Sequence, residues 1–215
     1  MVNYAISKGC VVMKIIGLCG GSGSGKGTVS LFFEKMGFAH IDADAIYREI
    51  TSSPSDCLRE LVLEFGSSIL TKEGALDRRR LAAMVFEGDD SERKRLELNR
   101  ISHKYVLRKM REEIRRYAEL GIAAVLVDAP LLFESGFDSE CEKIVSVIAE
   151  RDIRIKRITQ RDGISDSQAI ARINSQISDE SLIEKSDYII VNNGSLSELE
   201  EQVTSCAADI LNYER

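Results

Sequence analysis

The residues best suited to chemistry lie near the N-terminus, in the run Gly20-Gly21-Ser22-Gly23-Ser24-Gly25-Lys26-Gly27-Thr28. An apolar run at 14–19 precedes it and a helical pattern at 29–36 follows it, which is the strand–loop–helix context of a phosphate-binding P-loop. The glycines let backbone N–H groups approach a phosphate, and the lysine adds a mobile positive charge. The sequence therefore predicts a nucleotide site, with ATP contacts from Ser22, Gly23, Ser24, Gly25, Lys26, Gly27 and Thr28.

One position departs from the P-loop pattern. A serine or threonine normally follows the lysine, where its hydroxyl contacts Mg²⁺, and this chain has Gly27 there. We therefore expect Mg²⁺ to be held mainly through water, through the phosphates and by an acidic residue elsewhere. Thr28, the next residue, can still contact a phosphate.

Acidic residues follow two of the predicted strands, at the ends where ligands bind in open α/β sheets. Asp42 and Asp44 come after the second strand, and we expect Asp44 to accept the proton of an attacking hydroxyl while Asp42 caps the next helix. Asp128 follows the third, strongly apolar strand and is predicted to hold Mg²⁺ through water. A simple turn residue before Pro130 is the alternative for Asp128.

A cluster of arginines follows the fourth predicted strand. Arg154, Arg157 and Arg161 are spaced i, i+3 and i+7, so one face of a helix presents them. Guanidinium groups bind phosphate oxygens and offset charge in a phosphoryl-transfer transition state. Arg157 and Arg161 are therefore predicted to be catalytic residues on a lid that closes over ATP. A solvated helix face is the alternative explanation.

An arginine triplet and a histidine are further basic features, but neither by itself indicates a binding or catalytic site. Arg78-Arg79-Arg80 lie in one helical segment, where three consecutive side chains point in different directions. His103 is one of two histidines, and a single histidine is more often a surface or hydrogen-bonded residue than a catalyst.

Predicted strands and helices alternate along the chain, which is typical of an α/β fold with a mostly parallel sheet covered by helices. The predicted strands are 14–19, 38–41, 122–127, 143–149 and 188–191. Helical insertions are expected between the second and third strands and after the fourth. We expect one domain at 14–215, preceded by an N-terminal extension at 1–13, with Met13 as an alternative start.

Composition limits the other classes of function. The chain has 215 residues and a net charge of −6, which argues against general nucleic-acid binding. No apolar stretch reaches the roughly 18–20 residues of a membrane span. The five cysteines are odd in number and form no Cys-x-x-Cys pair, which favours a reducing compartment, the cytoplasm, over a disulfide framework or zinc site.

Several segments, taken in order, resemble the dephospho-CoA kinase family. They cover nearly the whole chain from Lys14 onward. Apart from the P-loop, each segment alone indicates little, but the full set in this order is specific for the family. The segments are Gly17-Leu18-Cys19-Gly20-Gly21 through Gly25-Lys26, Ile41-Asp42-Ala43-Asp44, Phe65-Gly66, Gly74-Ala75-Leu76-Asp77-Arg78, Leu98-Asn99-Arg100-Ile101-Ser102-His103, Pro130-Leu131-Leu132-Phe133-Glu134, Gln160-Arg161-Asp162 and Asn192-Asn193-Gly194.

The resemblance implies a P-loop NTPase three-layer fold with a five-stranded parallel sheet, a helical substrate-binding region at about 50–120 and a lid at about 151–180. It implies transfer of the γ-phosphoryl group of ATP to the ribose 3′-hydroxyl of dephospho-CoA. We expect ATP and Mg²⁺ as cofactors, and no obligate protein partner is evident from the sequence. By this likeness Asp44 matches the proposed base, and Asn193 lies near the adenine. The substrate-binding positions are Asp44, Arg78, His103, Pro130, Leu131 and Glu134.

Other functions stay open at the level of sequence. Lys26-Gly27-Thr28 is similar to the Lys-Gly-Thr of adenylate kinases, so a nucleoside monophosphate kinase is the nearest alternative enzyme. Gly27 also permits a nucleotide-binding protein that transfers no phosphate. A GTPase is disfavoured because the chain has no Asn-Lys-x-Asp motif. The family usually has His-Pro where this chain has His103-Lys104, a difference that removes only local stiffness.

Overall fold

The structure is a computed structural model that describes residues 13–87 and 90–212. The chain forms two compact units: Asp42–Glu113 form one, and the described residues before and after that range form the other. We call these the helical unit and the sheet unit. The predicted N-terminal extension at 1–13 lies, apart from Met13, outside the described residues.

The sheet contains β1 Lys14–Cys19, β2 Ala39–Asp42, β3 Ala124–Asp128, β4 Lys143–Ile148 and β5 Tyr188–Val191. The strand order is β2-β3-β1-β4-β5, so β1 is the central strand. It pairs in parallel with β3 and β4, and β4 pairs in parallel with β5. The predicted five-stranded α/β fold is confirmed, and each strand ends within two residues of its predicted limits.

Helices connect the strands: α1 Lys26–Lys35, α2 Ala43–Ser52, α3 Asp56–Phe65, α4 Arg78–Phe86, α5 Ser91–Glu119, α6 Arg151–Asp162, α7 Asp166–Asn174, α8 Asp179–Lys185 and α9 Leu196–Asn212. The two predicted helical insertions are therefore confirmed as α2 to α5 and α6 to α8. The sequence patterns do not predict α8, because its seven residues are too few to show a helical period. Within the described ranges, no helix combines the length and apolarity needed to cross a membrane.

The core of the sheet unit supports the strand that leads into the P-loop. Ile16 and Leu18 of β1 belong to one cluster with Phe33 of α1, Val147 of β4 and Val203 of α9, and all five are fully buried. Each such side chain contributes about 1.5–3 kcal/mol relative to leaving it exposed. The strands are apolar almost throughout because helices cover a sheet of this type.

The helical unit has a core of its own. Leu61 of α3, Ile69, Val85 of α4 and Ile101 of α5 are fully buried in one cluster. Side chains cap its helices, as at Ser55, which accepts a hydrogen bond from a backbone N–H in the first turn of α3. The unit is therefore held by ordinary helix packing and capping.

Candidate active site

The P-loop connects β1 to α1 and contains a tight turn. Ser24 N–H donates to Gly21 O at 3.1 Å, and α1 begins at Lys26. Gly25 precedes the helix with φ of 97° and ψ of 23°, in the left-handed region that glycine adopts readily. A Cβ at Gly25 would also lie 2.1 Å from Asn192 Nδ2, so both the backbone and the packing require glycine here.

Lys26 and Asp128 form an ion pair at the ends of the central strands. Leu18 of β1 pairs with Asp128 of β3 in the parallel register, so the residues that follow the two strands meet at one edge of the sheet. Lys26 Nζ lies 2.8 Å from Asp128 Oδ1, and the two side chains are 18% and 14% exposed. The predicted phosphate-binding lysine and the predicted magnesium residue are therefore in direct contact.

Side chains from outside the P-loop hold two of its carbonyl groups. Arg154 Nε donates to Ser22 O at 2.9 Å, and Asn192 Nδ2 donates to Ser24 O at 2.7 Å. In a trans peptide the N–H points opposite to the C=O, so each bond turns the next amide away from the side chain that holds the carbonyl. Amides oriented in this way can line an anion-binding concavity.

Two buried polar atoms at the P-loop have no hydrogen-bond partner among the described residues. They are Ser24 Oγ and Arg154 Nη2. Buried polar groups are nearly always hydrogen-bonded, so two unpartnered atoms at one loop indicate a site that a polar ligand completes. A polyphosphate, which offers many acceptor oxygens, fits this requirement.

Gly27 is not required by the geometry of the loop. It is exposed in the first turn of α1, and a Cβ built on it meets no atom within 4 Å. A serine would therefore fit at this position.

In the described part of the chain, no group of three or more His, Cys, Asp or Glu side chains is placed to hold a metal ion. Gly27, which offers no hydroxyl, and the single carboxylate of Asp128 fit a Mg²⁺ ion that keeps much of its water shell and binds mainly to phosphates.

Three of the four arginines of α6, those singled out from the sequence, lie in three different environments. Arg154 is 4% exposed, and its Nη1 forms an ion pair with Asp179 at 3.0 Å. Arg157 is half-buried and donates to a P-loop carbonyl oxygen at 3.3 Å. Arg161 has a side chain that is 60% exposed and pairs with Asp162. Although their spacing is that of one helix face, only the first two contact the P-loop.

Asp162 accepts hydrogen bonds from two exposed arginines. Arg161 and Arg172 together lower the pKa of its carboxyl group to about 2, with the larger effect from Arg161. The carboxylate therefore stays ionised at neutral pH and neutralises part of the charge of Arg161 in this structure. The catalytic role of Arg161 stays a prediction.

The predicted base lies at the start of the helical unit. Asp42 Oδ1 accepts a hydrogen bond from Ala45 N–H at 2.9 Å, which confirms that Asp42 caps α2. Asp44 is exposed in the first turn of the same helix, where the helix dipole favours a negative charge. The role of Asp44 as the base stays a prediction.

The predicted substrate-binding residues are distributed over both units. In the helical unit, Arg78 Nη2 donates to Thr51 Oγ1 at 3.0 Å, and His103 is half-buried in α5. In the sheet unit, the loop after β3 carries three exposed residues of this group, Pro130, Leu131 and Glu134. Their contacts with a substrate stay predictions.

Two residues that contact the P-loop were not singled out from the sequence. Asn192 bonds to the loop, whereas the predicted adenine-side residue Asn193 accepts a hydrogen bond from Glu150 N–H at 2.8 Å. Gln176 Oε1 accepts from Ser22 N–H at 2.8 Å. The position of Asn192 directly after β5, at the ligand-binding edge of the sheet, is a signal that would have found it. No sequence pattern marks Gln176.

Comparisons with known proteins agree with this geometry. A family model described as dephospho-CoA kinase matches residues 14–198. The dephospho-CoA kinase of Carboxydothermus hydrogenoformans is 38% identical over 193 residues, which cover 90% of this chain and 92% of the relative. That of Fusobacterium nucleatum is 39% identical over 189 residues, which cover 88% and 94%.

Solved structures give the same result for the fold. A dephospho-CoA kinase from Campylobacter jejuni has a TM-score of 0.68 at 27% identity, covering 94% of this chain and 98% of that one. A shikimate kinase from Acinetobacter baumannii has a TM-score of 0.52 at 17% identity, covering 94% and 95%. The second likeness concerns the fold alone.

Proposed function

This chain belongs to the dephospho-CoA kinase family, so it is an ATP-dependent kinase that phosphorylates dephospho-CoA to give CoA, and we propose how its residues carry out that reaction. The kinase function predicted from the ordered motifs is thereby confirmed, and the two alternative functions lose their support. The observation that carries the proposed mechanism is the Lys26–Asp128 ion pair beside the P-loop.

In this proposal the P-loop binds the phosphates of ATP. Residues Ser22 to Thr28 surround the phosphates, the N–H of Gly23 is one of the backbone donors to a phosphate oxygen, and the N-terminus of α1 adds its positive dipole. Lys26 contacts the outer phosphates, where it exchanges part of its interaction with Asp128 for one with the nucleotide. Asp128 would hold Mg²⁺ through water, and the bound ion would neutralise charge on the phosphates.

The proposed transfer step uses one base and several cations. Asp44 takes the proton from the ribose 3′-hydroxyl of dephospho-CoA as that oxygen forms a bond to the γ-phosphorus. The bond between the γ-phosphorus and its bridging oxygen breaks, and ADP leaves with the electron pair. Lys26, Arg157 and Arg161 offset the negative charge that spreads over the transferred group.

Substrate recognition is proposed to involve five residues besides Asp44. Dephospho-CoA contacts Arg78, His103, Pro130, Leu131 and Glu134, while Asn193 lies near the adenine of ATP. The substrate is a small molecule. The cytoplasmic location and the absence of nucleic-acid, membrane and obligate protein partners stay predictions from the sequence.

A coupled assay of ADP release tests the acceptor. With Mg-ATP, we expect turnover on dephospho-CoA and none above background on AMP or CMP, with CoA identified by mass spectrometry as the product. Turnover on a nucleoside monophosphate without turnover on dephospho-CoA would contradict the assignment. A Lys26→Ala variant, which keeps Asp128 but removes the ammonium group, is expected to lose ATP affinity.

Gly27→Ser is expected to change the magnesium requirement without changing the acceptor. The added hydroxyl fits sterically and supplies a direct ligand of the kind Mg²⁺ prefers, so half-maximal activity should occur at a lower Mg²⁺ concentration. A magnesium titration of both proteins with dephospho-CoA measures the shift. Gly27→Ala, which adds the Cβ alone, is the matched control, and identical titrations for the serine and alanine variants would refute the prediction.

A further inference from the structure

We propose that Arg154, Gln176 and Asp179 form a clamp on Ser22 that orients the P-loop for ATP, and that Arg154 is a positioning residue for the kinase reaction. We call these three residues the Ser22 clamp. The inference rests on the proposal that the P-loop binds the ATP phosphates. It assigns a role to a buried cation that the transfer step itself does not use.

The clamp holds both backbone groups of Ser22. Arg154 Nε donates to Ser22 O at 2.9 Å, and Gln176 Oε1 accepts from Ser22 N–H at 2.8 Å. Gln176 Nε2 also donates to Ser22 Oγ at 3.3 Å. Two successive peptide planes are thereby fixed, and the second of them carries the N–H of Gly23, which turns away from Arg154.

Arg154 and the loop fit each other closely. A Cβ at Gly21 would lie 2.1 Å from Arg154 Nη2, and a Cβ at Gly23 would lie 2.7 Å from Arg154 O. Both glycines therefore leave space for α6. The first of them makes room for the guanidinium group, and the second for the backbone of the helix.

The charge of Arg154 is compensated on one side only. With 4% of the residue exposed, the guanidinium depends on Asp179, whose Oδ1 lies 3.0 Å from Nη1. The planar fork serves two partners in different directions, Asp179 and the Ser22 carbonyl, which an ammonium group cannot reproduce. Nη2 has no partner among the described residues, so the cation keeps a donor at the loop.

Kinetic constants of Arg154→Met separate this role from a purely structural one. Loss of a hydrogen bond from a charged donor is expected to raise KM for ATP by about 10- to 100-fold, while KM for dephospho-CoA stays within about two-fold. Arg154→Lys should not restore the ATP affinity. Arg151→Met is the matched control, because Arg151 lies exposed on the same helix and bonds to Asn174 instead of the P-loop.

Two milder variants keep the inference testable if Arg154→Met does not fold. Gln176→Leu removes both hydrogen bonds of that side chain to Ser22, and Asp179→Asn removes the negative charge that pairs with Arg154. Each is expected to raise KM for ATP by about 3- to 10-fold. The clamp would be overturned if the folded variants had the same KM for ATP as Arg151→Met. It would also be overturned if KM for ATP and KM for dephospho-CoA rose by the same factor. Lys26→Ala provides the reference: if it also leaves ATP affinity unchanged, the placement of the phosphates at the P-loop is itself wrong.

Discussion

At the level of residues, the Lys26–Asp128 pair determines the electrostatics of the site. Each side chain is less than a fifth exposed, so each charge would be poorly solvated without the other. Because breaking a largely buried pair leaves an uncompensated charge, Asp128 has a structural effect on Lys26 in addition to its proposed role with Mg²⁺. Of the two nearby carboxylates Asp42 and Asp44, the first caps α2, whereas the role of the second as the base stays a prediction.

We expect Asp44→Asn to lower kcat by about 10²- to 10⁴-fold, the usual contribution of a general base. The amide keeps the size of the side chain but does not accept the proton of the ribose hydroxyl. Steady-state assays with dephospho-CoA measure the effect. An unchanged kcat would remove Asp44 from the chemical step.

Asp42→Ala is the matched control for that substitution. It removes the hydrogen bond to Ala45 N–H and should lower the free energy of unfolding by about 0.5–2 kcal/mol, the usual cost of losing a helix cap. We expect its kcat to stay within a few-fold of the parent value, as measured in the same assay.

At the level of elements, the segment 151–176, from α6 to just after α7, is fastened to the P-loop near both of its ends. Arg154 bonds to Ser22 from the first turn of α6, and Gln176 bonds to the same residue after α7. Between these two anchors, Arg161 and Asp162 form an exposed ion pair. A lid at 151–180 would therefore move only in its middle part, which includes the end of α6 and α7.

Hydrogen–deuterium exchange tests this division of the lid. Without ATP, we expect backbone amides around Arg154 and Ile158 to exchange slowly, because α6 is buried there and tied to the P-loop. Amides of α7 should exchange faster and become protected when a non-hydrolysable ATP analogue binds. Uniform exchange across 151–180, with or without the analogue, would contradict a lid with fixed ends.

Gly25 is expected to be essential for ATP binding. In Gly25→Ala the methyl group would meet Asn192 Nδ2 at 2.1 Å at a residue with φ of 97°, so the loop must shift. We expect KM for ATP to rise by about 10-fold or more, because the amides of this loop are proposed to bind the phosphates. Gly37→Ala is the control, since Gly37 also has a positive φ, 91°, but meets no atom within 4 Å. It should lower stability without changing KM for ATP.

At the level of the whole molecule, burial of thiols links stability to alkaline pH. Burial raises the pKa of Cys19, Cys141 and Cys206 to about 12 and that of Cys57 to about 11. An exposed thiol in the unfolded chain has a pKa of about 8.5. The folded state therefore retains protons that the unfolded state releases, and this contribution to stability is complete below about pH 8.5 and lost as the pH rises towards 11–12.

Urea unfolding at pH 8 and pH 10.5 measures this linkage. We expect a lower free energy of unfolding at pH 10.5, and a smaller difference between the two conditions in a Cys206→Ala variant. The variant removes one thiol with a raised pKa from the core of the sheet unit. The same free energy at both pH values in the parent protein would show that the thiols do not control alkaline stability.

The sequence by itself determined the fold, the P-loop and the kinase family, because these depend on local order along the chain. Apolar runs followed by Gly25-Lys26 or by Asp128 identify strands and their carboxyl ends, and parallel strands bring those ends together. The pairing of Lys26 with Asp128 follows from the same rule once the strand order is known.

Only the tertiary structure decided which side chains hold the P-loop. Arg154, Gln176 and Asn192 are separated from the residues they contact by 132, 154 and 168 positions, and their packing depends on how α6 to α8 return to the sheet. Helical spacing predicts Arg154 and Arg161 on one face of α6. In the structure, Arg154 is buried and bonds to the P-loop, whereas Arg161 is exposed. A periodic pattern records the direction of a side chain along its own helix, whereas its partner and its solvation are set by the rest of the fold.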